Sequence, residues 1–167
     1  MLIRTENPTD TFGVDALLKE AFPSEAEANL VMALRENGKR TLSFVACDDE
    51  GAVIGYILFS PLQVDGEESN WQGLAPLAVS PEYQGQGVAS ALMRESFASL
   101  SELGYPVVAV LGDPKHYRSM GFETASAHGF SCRWPVPDDC FMICELNAGE
   151  LKQRQGRIEY SDEFNQL

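Results

Sequence analysis

Between Leu77 and Ser90 the chain reads Leu-Ala-Val-Ser-Pro-Glu-Tyr-Gln-Gly-Gln-Gly-Val-Ala-Ser. An apolar strand-like run gives way to a short loop with two glycines, and the loop opens a periodic helix. These residue types, in this order, suit the binding of a phosphorylated cofactor. A helix N-terminus presents amides without intrahelical partners and the positive end of the helix dipole. Glycines let an anion approach that backbone without interference from a Cβ. Residues Gly85 to Ser90 can therefore hold a pyrophosphate with no lysine. A plain turn needs the same glycines, so the loop alone does not decide the matter.

Two other nucleotide loops fit poorly. The Gly-Lys-Ser/Thr of a Walker loop is absent. A dinucleotide-binding fingerprint puts Gly or Ala at position 90, where Ser stands, and its glycines follow the strand directly. Here five residues, Ser80 to Gln84, separate Val79 from Gly85, and Asp113 stands 26 residues after Gly87, too far for a ribose-binding acid.

The elements that position this loop follow from periodicity. Leu2-Ile3-Arg4 reads as a short strand. Asp10 is placed to cap a helix with Val14, Leu17, Leu18 and Ala21 on one face. Ser24-Glu25-Ala26-Glu27 has capping-box spacing and starts a helix that carries Leu30, Val31 and Leu34 inward. Leu42–Cys47 and Val53–Ser60 flank an acidic turn and predict an antiparallel hairpin. A strand from Ser69 to Val79 contains Pro76, which lacks a ladder amide and predicts a bulge or local splaying. Val88–Leu103 is the clearest helix, stopped by Gly104. Pro106–Leu111 is a continuous apolar run, hence a central strand. His116–Met120 predicts a short helix, and Phe130–Trp134 and Phe141–Leu146 predict late strands around Pro135 and Pro137. A last apolar stretch lies near Ile158–Tyr160. The sum is one α+β domain over residues 1–167, with a strand–helix–strand unit from about 69 to 111.

Charge excludes other tasks. Lys and Arg total 12 against 25 Asp and Glu, a net of -13, and no Lys/Arg cluster exists to meet phosphates. Nucleic acid and anionic membranes are therefore not expected partners. An acidic surface favours cationic partners such as amines, although acidity also serves solubility alone. No apolar run approaches the ~20 residues of a membrane span, and the first residues lack a signal region, so a cytoplasmic location is expected. Cys47, Cys132, Cys140 and Cys144 form no C-x-x-C pair, so no metal is expected and the thiols should be reduced.

Gln84, Gly87 and Ala89 match the Gln/Arg-x-x-Gly-x-Gly/Ala signature of the GNAT acetyltransferases, and Tyr117 to Phe122 matches their Tyr-x-x-x-Gly-Phe pattern. The chain resembles that family over most of its length. Leu111 to Pro114, Cys132 to Pro135, Glu159-Tyr160 and Phe164-Asn165 resemble its small bacterial YhbS-like branch. The resemblance implies a mixed, mainly antiparallel sheet flanked by helices, splayed into a V between strands ending near Val79 and Leu111. It implies acetyl-CoA as acyl donor, with its pantetheine along Leu77, Ala78 and Val79 and its pyrophosphate on Gln84, Gly85, Gln86, Gly87, Val88, Ala89 and Ser90. The implied reaction is direct attack, in a ternary complex, by a primary amine of a small molecule or protein, with a cationic acceptor favoured. A monomer or homodimer is expected. Gly112-Asp113 stand where many members have Asn, so that residue's cofactor contact does not carry over.

Attack of an amine on a thioester requires a polarised carbonyl, a neutral amine and a protonated leaving thiolate. A backbone amide near Ala78 or Val79 can polarise the carbonyl. Tyr117 is the candidate acid, or else it packs against the sulfur; as an acid it is worth about 10²–10⁴-fold. No Glu lies between Trp71 and Val79, which leaves Glu68, Asp113 and His116 as candidate bases or as ordinary surface residues. Glu25 and Glu27 can hold a cation, but the capping box explains them equally. Arg118 is placed to meet a CoA phosphate or solvent, and Trp134 to Phe141 to line an acceptor pocket or cover the sheet. A CoA-binding regulatory module without catalysis is the alternative: Tyr117 speaks for the enzyme, the missing strand Glu for the module.

Overall fold

The computed structural model describes residues 1–167, the side chain of Gln166 excepted. Nine strands share one sheet: β1 (Leu2–Thr5), β2 (Leu42–Cys47), β3 (Val53–Val64), β4 (Glu67–Val79), β5 (Val107–Leu111), β6 (Glu123–Thr124), β7 (Phe130–Ser131), β8 (Phe141–Glu145) and β9 (Gly156–Glu159). The order is β1-β2-β3-β4-β5-β8-β6, with β9 joining β3 and β7. Pairing is antiparallel except for β4 with β5 and β7 with β9. The helices are α1 (Thr11–Ala21), α2 (Ala26–Glu36), α3 (Val88–Glu102) and the short α4 (Pro114–Tyr117). This is the expected mixed sheet with flanking helices.

The central strands are apolar on both sides, so both faces of the sheet need cover. Alternate residues of β3 divide between two cores, as a two-residue repeat requires. Tyr56 and Leu58 pack with Val14, Leu18, Val31 and Leu34 of α1 and α2. Ile57 and Phe59 pack with Val88, Leu92 and Met93 of α3.

Strand β4 is the pivot. It pairs with β5 only through Gln72↔Val108 and Gly73↔Ala109. Beyond them the strands part, and Leu74–Val79 faces Val110–Leu111 across an open V. The register of β3 with β4 shifts between Ile57 and Phe59, opposite Leu74 to Leu77. That irregularity brackets Pro76, so the expected bulge is present, but β4 continues through it rather than breaking. Tyr160 braces the root of the V: its ring lies against Gly73, where a Cβ would sit 2.6 Å from it. Its hydroxyl donates to the Ala109 carbonyl at 3.2 Å.

Several local expectations are corrected. Strand β3 extends to Val64 rather than Ser60, drawn out by pairing with β4 and β9. Strand β7 ends at Ser131, and the chain from Cys132 through Pro137 leaves the sheet. Asp10 is the N-cap residue of α1 as expected, but its side chain makes no capping bond: it is buried, accepts two bonds from Arg4 at 2.7 and 2.8 Å, and accepts the Asn7 amide. Those bonds, the Arg4 guanidinium first, hold its carboxyl below the ordinary carboxylate range. The Ser24–Glu27 capping box is not formed either. Glu25 is the N-cap of α2, and Ser24 Oγ accepts the Ala26 amide instead, at 3.2 Å. Among the described residues no helix is long and apolar enough to cross a membrane, and no group of three or more His, Cys, Asp and Glu is placed to hold a metal.

Candidate active site

The glycine loop is built to present bare amides. Gly87 is the N-cap of α3 in the left-handed conformation (φ 83°), and no side chain caps the helix. Gly85 is also left-handed, at φ 74°. L side chains avoid that region, which is why both positions are glycine. The Ala91 amide bonds the Gly87 carbonyl at 3.0 Å. The amides of Val88, Ala89 and Ser90 precede that first helical bond and have no partner in the helix. They face a cavity of about 540 Å³, lined also by Leu77, Val79, Tyr83, His116 and Tyr117.

Strand β4 supplies the second set of free groups. The Ser80 amide donates to the Ile54 carbonyl at 2.8 Å, which fixes the alternation along β4. Ala78, two residues earlier and opposite Tyr56, turns its backbone toward β3 as well. Leu77 and Val79 therefore direct their backbone groups into the V. Val79's carbonyl takes the side-chain amide of Gln84 at 3.3 Å, which ties the loop to the strand end. Of the three strand positions expected to meet pantetheine, Leu77 and Val79 have groups to offer. Ala78 does not: its amide and carbonyl serve β3 and its methyl is buried. Gln86's side chain donates to the Glu82 carbonyl and is not among the groups lining the cavity.

Tyr117 stands where the strand backbone and the loop converge. Its ring is set edge-on against Phe122 (5.5 Å) and His116 (4.9 Å). A Cβ on Gly112 would overlap that ring, so glycine at 112 is what admits it. Among the described residues its hydroxyl has no hydrogen-bond partner, although the ring is buried. Burial pushes its phenol up to about 12. Gly112→Ala is expected to displace the ring and lower kcat by roughly tenfold or more, since misplacement near 1 Å can cost about 10²-fold. Acetyl-CoA binding should change little. Rates and ligand-induced melting shifts on this one variant check the assignment, and an unchanged kcat would remove Gly112 from it.

A second cavity, of about 590 Å³, opens from the other mouth of the V and shares Leu77 and Tyr117 with the first. Its walls are apolar and aromatic: Phe22 and Leu30, then Leu74, Pro76 and Leu111, with Trp134, Tyr160 and Phe164 closing it. Trp134 meets Tyr160 edge-on at 5.1 Å, and Tyr160 meets Phe164 at 5.0 Å. Among the described lining residues, Glu27 carries the only carboxylate side chain. Its Oε1 is buried without a hydrogen-bond partner.

The remaining candidates fall elsewhere. Glu25 is exposed, 3.5 Å from Lys19. Glu68 lies at the far end of β4 from Val79. Asp113 accepts the Lys115 amide at 2.9 Å and caps α4. Arg118 donates to Thr124 Oγ1 at 2.8 Å and lines neither cavity. His116 does line the first. Of the segment from Trp134 to Phe141, only Trp134, Pro135 and Val136 reach the second.

Comparison with known proteins supplies an independent line. The model of the acetyltransferase (GNAT) domain matches residues 39–124. The chain is 50% identical to the uncharacterized N-acetyltransferase YhbS of Escherichia coli (strain K12), over all of both chains. It superposes on the crystal structure of the GNAT family N-acetyltransferase YhbS from Escherichia coli in complex with CoA with a TM-score of 0.96, covering 98% of this chain and 91% of that one. A GNAT family acetyltransferase from Brucella melitensis, in complex with acetyl-CoA, is 32% identical with a TM-score of 0.81, covering 98% and 97%.

Proposed function

This chain belongs to the GNAT family of N-acetyltransferases, and from that premise we propose that it carries an acetyl group from acetyl-CoA to a primary amine at the V between β4 and β5. The observation that carries the reading is convergence on one cavity. The bare N-terminus of α3, the outward backbone of Leu77 and Val79, and the unpaired Tyr117 hydroxyl all meet there. Two similar proteins of known structure hold CoA and acetyl-CoA.

Each group has a physical task. The amides of Val88, Ala89 and Ser90, with the α3 dipole, hold the pyrophosphate despite the acidic chain. The free groups of Leu77 and Val79 receive the pantetheine as an added strand would, and an amide there polarises the thioester carbonyl. The amine attacks that carbon directly; among the described residues no cysteine lines either cavity to take the acetyl group first.

Tyr117's task follows from its titration. A phenol ordinarily titrates above a thiol's pKa of about 8.5, and burial pushes Tyr117 further up, to about 12, so outright proton transfer to the thiolate runs uphill. Tyr117 therefore acts first as a hydrogen-bond donor to the sulfur as negative charge develops there. Such bonds to charged groups contribute about 1.5–3 kcal/mol.

Thermal melts with acetyl-CoA and with NAD test the donor. At 100 times Kd a ligand stabilises by about 2.7 kcal/mol, expected for acetyl-CoA alone. Release of CoA thiol across a panel of amines, with the acetylated amine identified by mass, tests the chemistry. A melting shift without thiol release from any amine would leave only a CoA-binding module.

A further inference from the structure

We propose that the second cavity selects an acceptor with a single ammonium group on an apolar aryl or alkyl body, and that Glu27 holds that ammonium. This rests on the acetyltransferase reading above and names its acceptor. A carboxylate oxygen out of contact with water and without a donor is costly. Glu27 Oε1 is in that condition, and the helix-capping role that would have accounted for it is absent. An ammonium entering the cavity supplies the missing donor and the opposite charge.

The walls set the rest of the ligand. Phe22, Trp134, Tyr160 and Phe164 offer aromatic surface, and Tyr160's hydroxyl is already bonded to Ala109. The volume is in the range that holds small molecules, with few polar groups to fix them. Among the described lining residues Glu27 is the one carboxylate side chain, which matches one cation. A polyamine or aminoglycoside entering fully would bury further ammonium groups against apolar walls without partners, which is strongly unfavourable. An anionic amine would oppose Glu27. Net charge alone favours any cation; the cavity narrows this to monocations with apolar bodies.

Leu77 and Tyr117 line both cavities, so an amine in the second approaches the thioester from the side opposite the donor's pyrophosphate arm. The held cation and the reacting nitrogen are then the same atom. The ammonium gives one proton to the Glu27 carboxylate, and its lone pair forms the N–C bond. The C–S bond breaks with its electron pair on sulfur, the second N–H proton ends on that sulfur, and Glu27 returns its proton to solvent.

The test compares 2-phenylethylamine and hexylamine with spermidine, kanamycin and glutamate, using wild type and Glu27→Gln. Two readouts are taken: kcat/KM from CoA thiol release, and the melting shift each amine adds to the CoA-bound protein. The monoamines are expected to exceed the other three at least tenfold. Glu27→Gln should lower kcat/KM for them by 10–100-fold and erase their melting shift, while the shift from acetyl-CoA stays intact and shows the variant folded. Spermidine or kanamycin as best acceptor, or monoamine turnover indifferent to Glu27→Gln, overturns the inference and leaves the acetyltransferase reading standing. A Glu27-dependent monoamine shift without thiol release does the reverse, supporting the amine site and overturning the enzyme.

Discussion

Gly87→Glu abolishes the stabilisation that acetyl-CoA confers on this protein. Gly87 holds φ at 83°, where an L residue costs about 1–2 kcal/mol. No atom lies within 4 Å of where its Cβ would stand, so the new side chain projects into open space at the α3 N-terminus. There its carboxylate takes up the dipole's positive end and repels the pyrophosphate. A shift of about 2.7 kcal/mol at 100 times the wild-type Kd should fall to nothing. Gly87→Ala separates the causes, since it carries the strain without the charge. It should melt lower than wild type yet keep a measurable acetyl-CoA shift. Wild-type binding by Gly87→Glu would move the phosphate site away from this helix.

Tyr117→Phe is the second large effect. It removes the hydroxyl and keeps the ring that Phe122, His116 and Gly112 hold in place. Acetyl-CoA affinity and melting temperature should stay near wild type, while kcat falls by about 10²-fold, the worth of a strong hydrogen bond to developing charge. The pH profile adds a sharper check. An ordinary phenol would lose its donor proton near pH 10. Burial raises that value to about 12 in the folded protein, so the protonated donor persists to higher pH. Wild-type kcat should show no Tyr117-linked fall between pH 8 and 10.5, and the variant's profile should be parallel and lower there. A wild-type fall centred near pH 10 that vanishes in Tyr117→Phe would contradict the burial. Wild-type rates at every pH would remove Tyr117 from the mechanism.

Local features of the site are legible in the sequence, and tertiary ones are not. The segment from Leu77 to Ser90 reads correctly as strand, glycine turn and helix start because backbone conformation there is dictated by neighbouring residue types. The apolar run of β5 marks a central strand for the same reason. The V is implied by family resemblance alone, with Pro76 as its one local hint, since parting after two residue pairs is a matter of sheet packing. Ala78 is assigned to the donor by position along the strand, but which residues face the V depends on register, fixed here by the bond from Ser80 to Ile54. Gly112 reads as a missing asparagine; only the fold shows that it makes way for Tyr117. Glu27 reads, with Glu25, as able to hold a cation, but nothing in the sequence separates the two. Glu27's spacing from Ser24 fits a cap, and nothing local reveals that α2 starts one residue later and turns the carboxylate into an aromatic cavity.

Direct transfer from acetyl-CoA to an amine at the V is checked by initial rates of CoA thiol release over a grid of acetyl-CoA and amine concentrations, using whichever amine of the panel turns over fastest. With both substrates bound together, the double-reciprocal lines intersect and acetylated amine forms in step with free thiol. Parallel lines, or thiol release that does not depend on the amine, would contradict it.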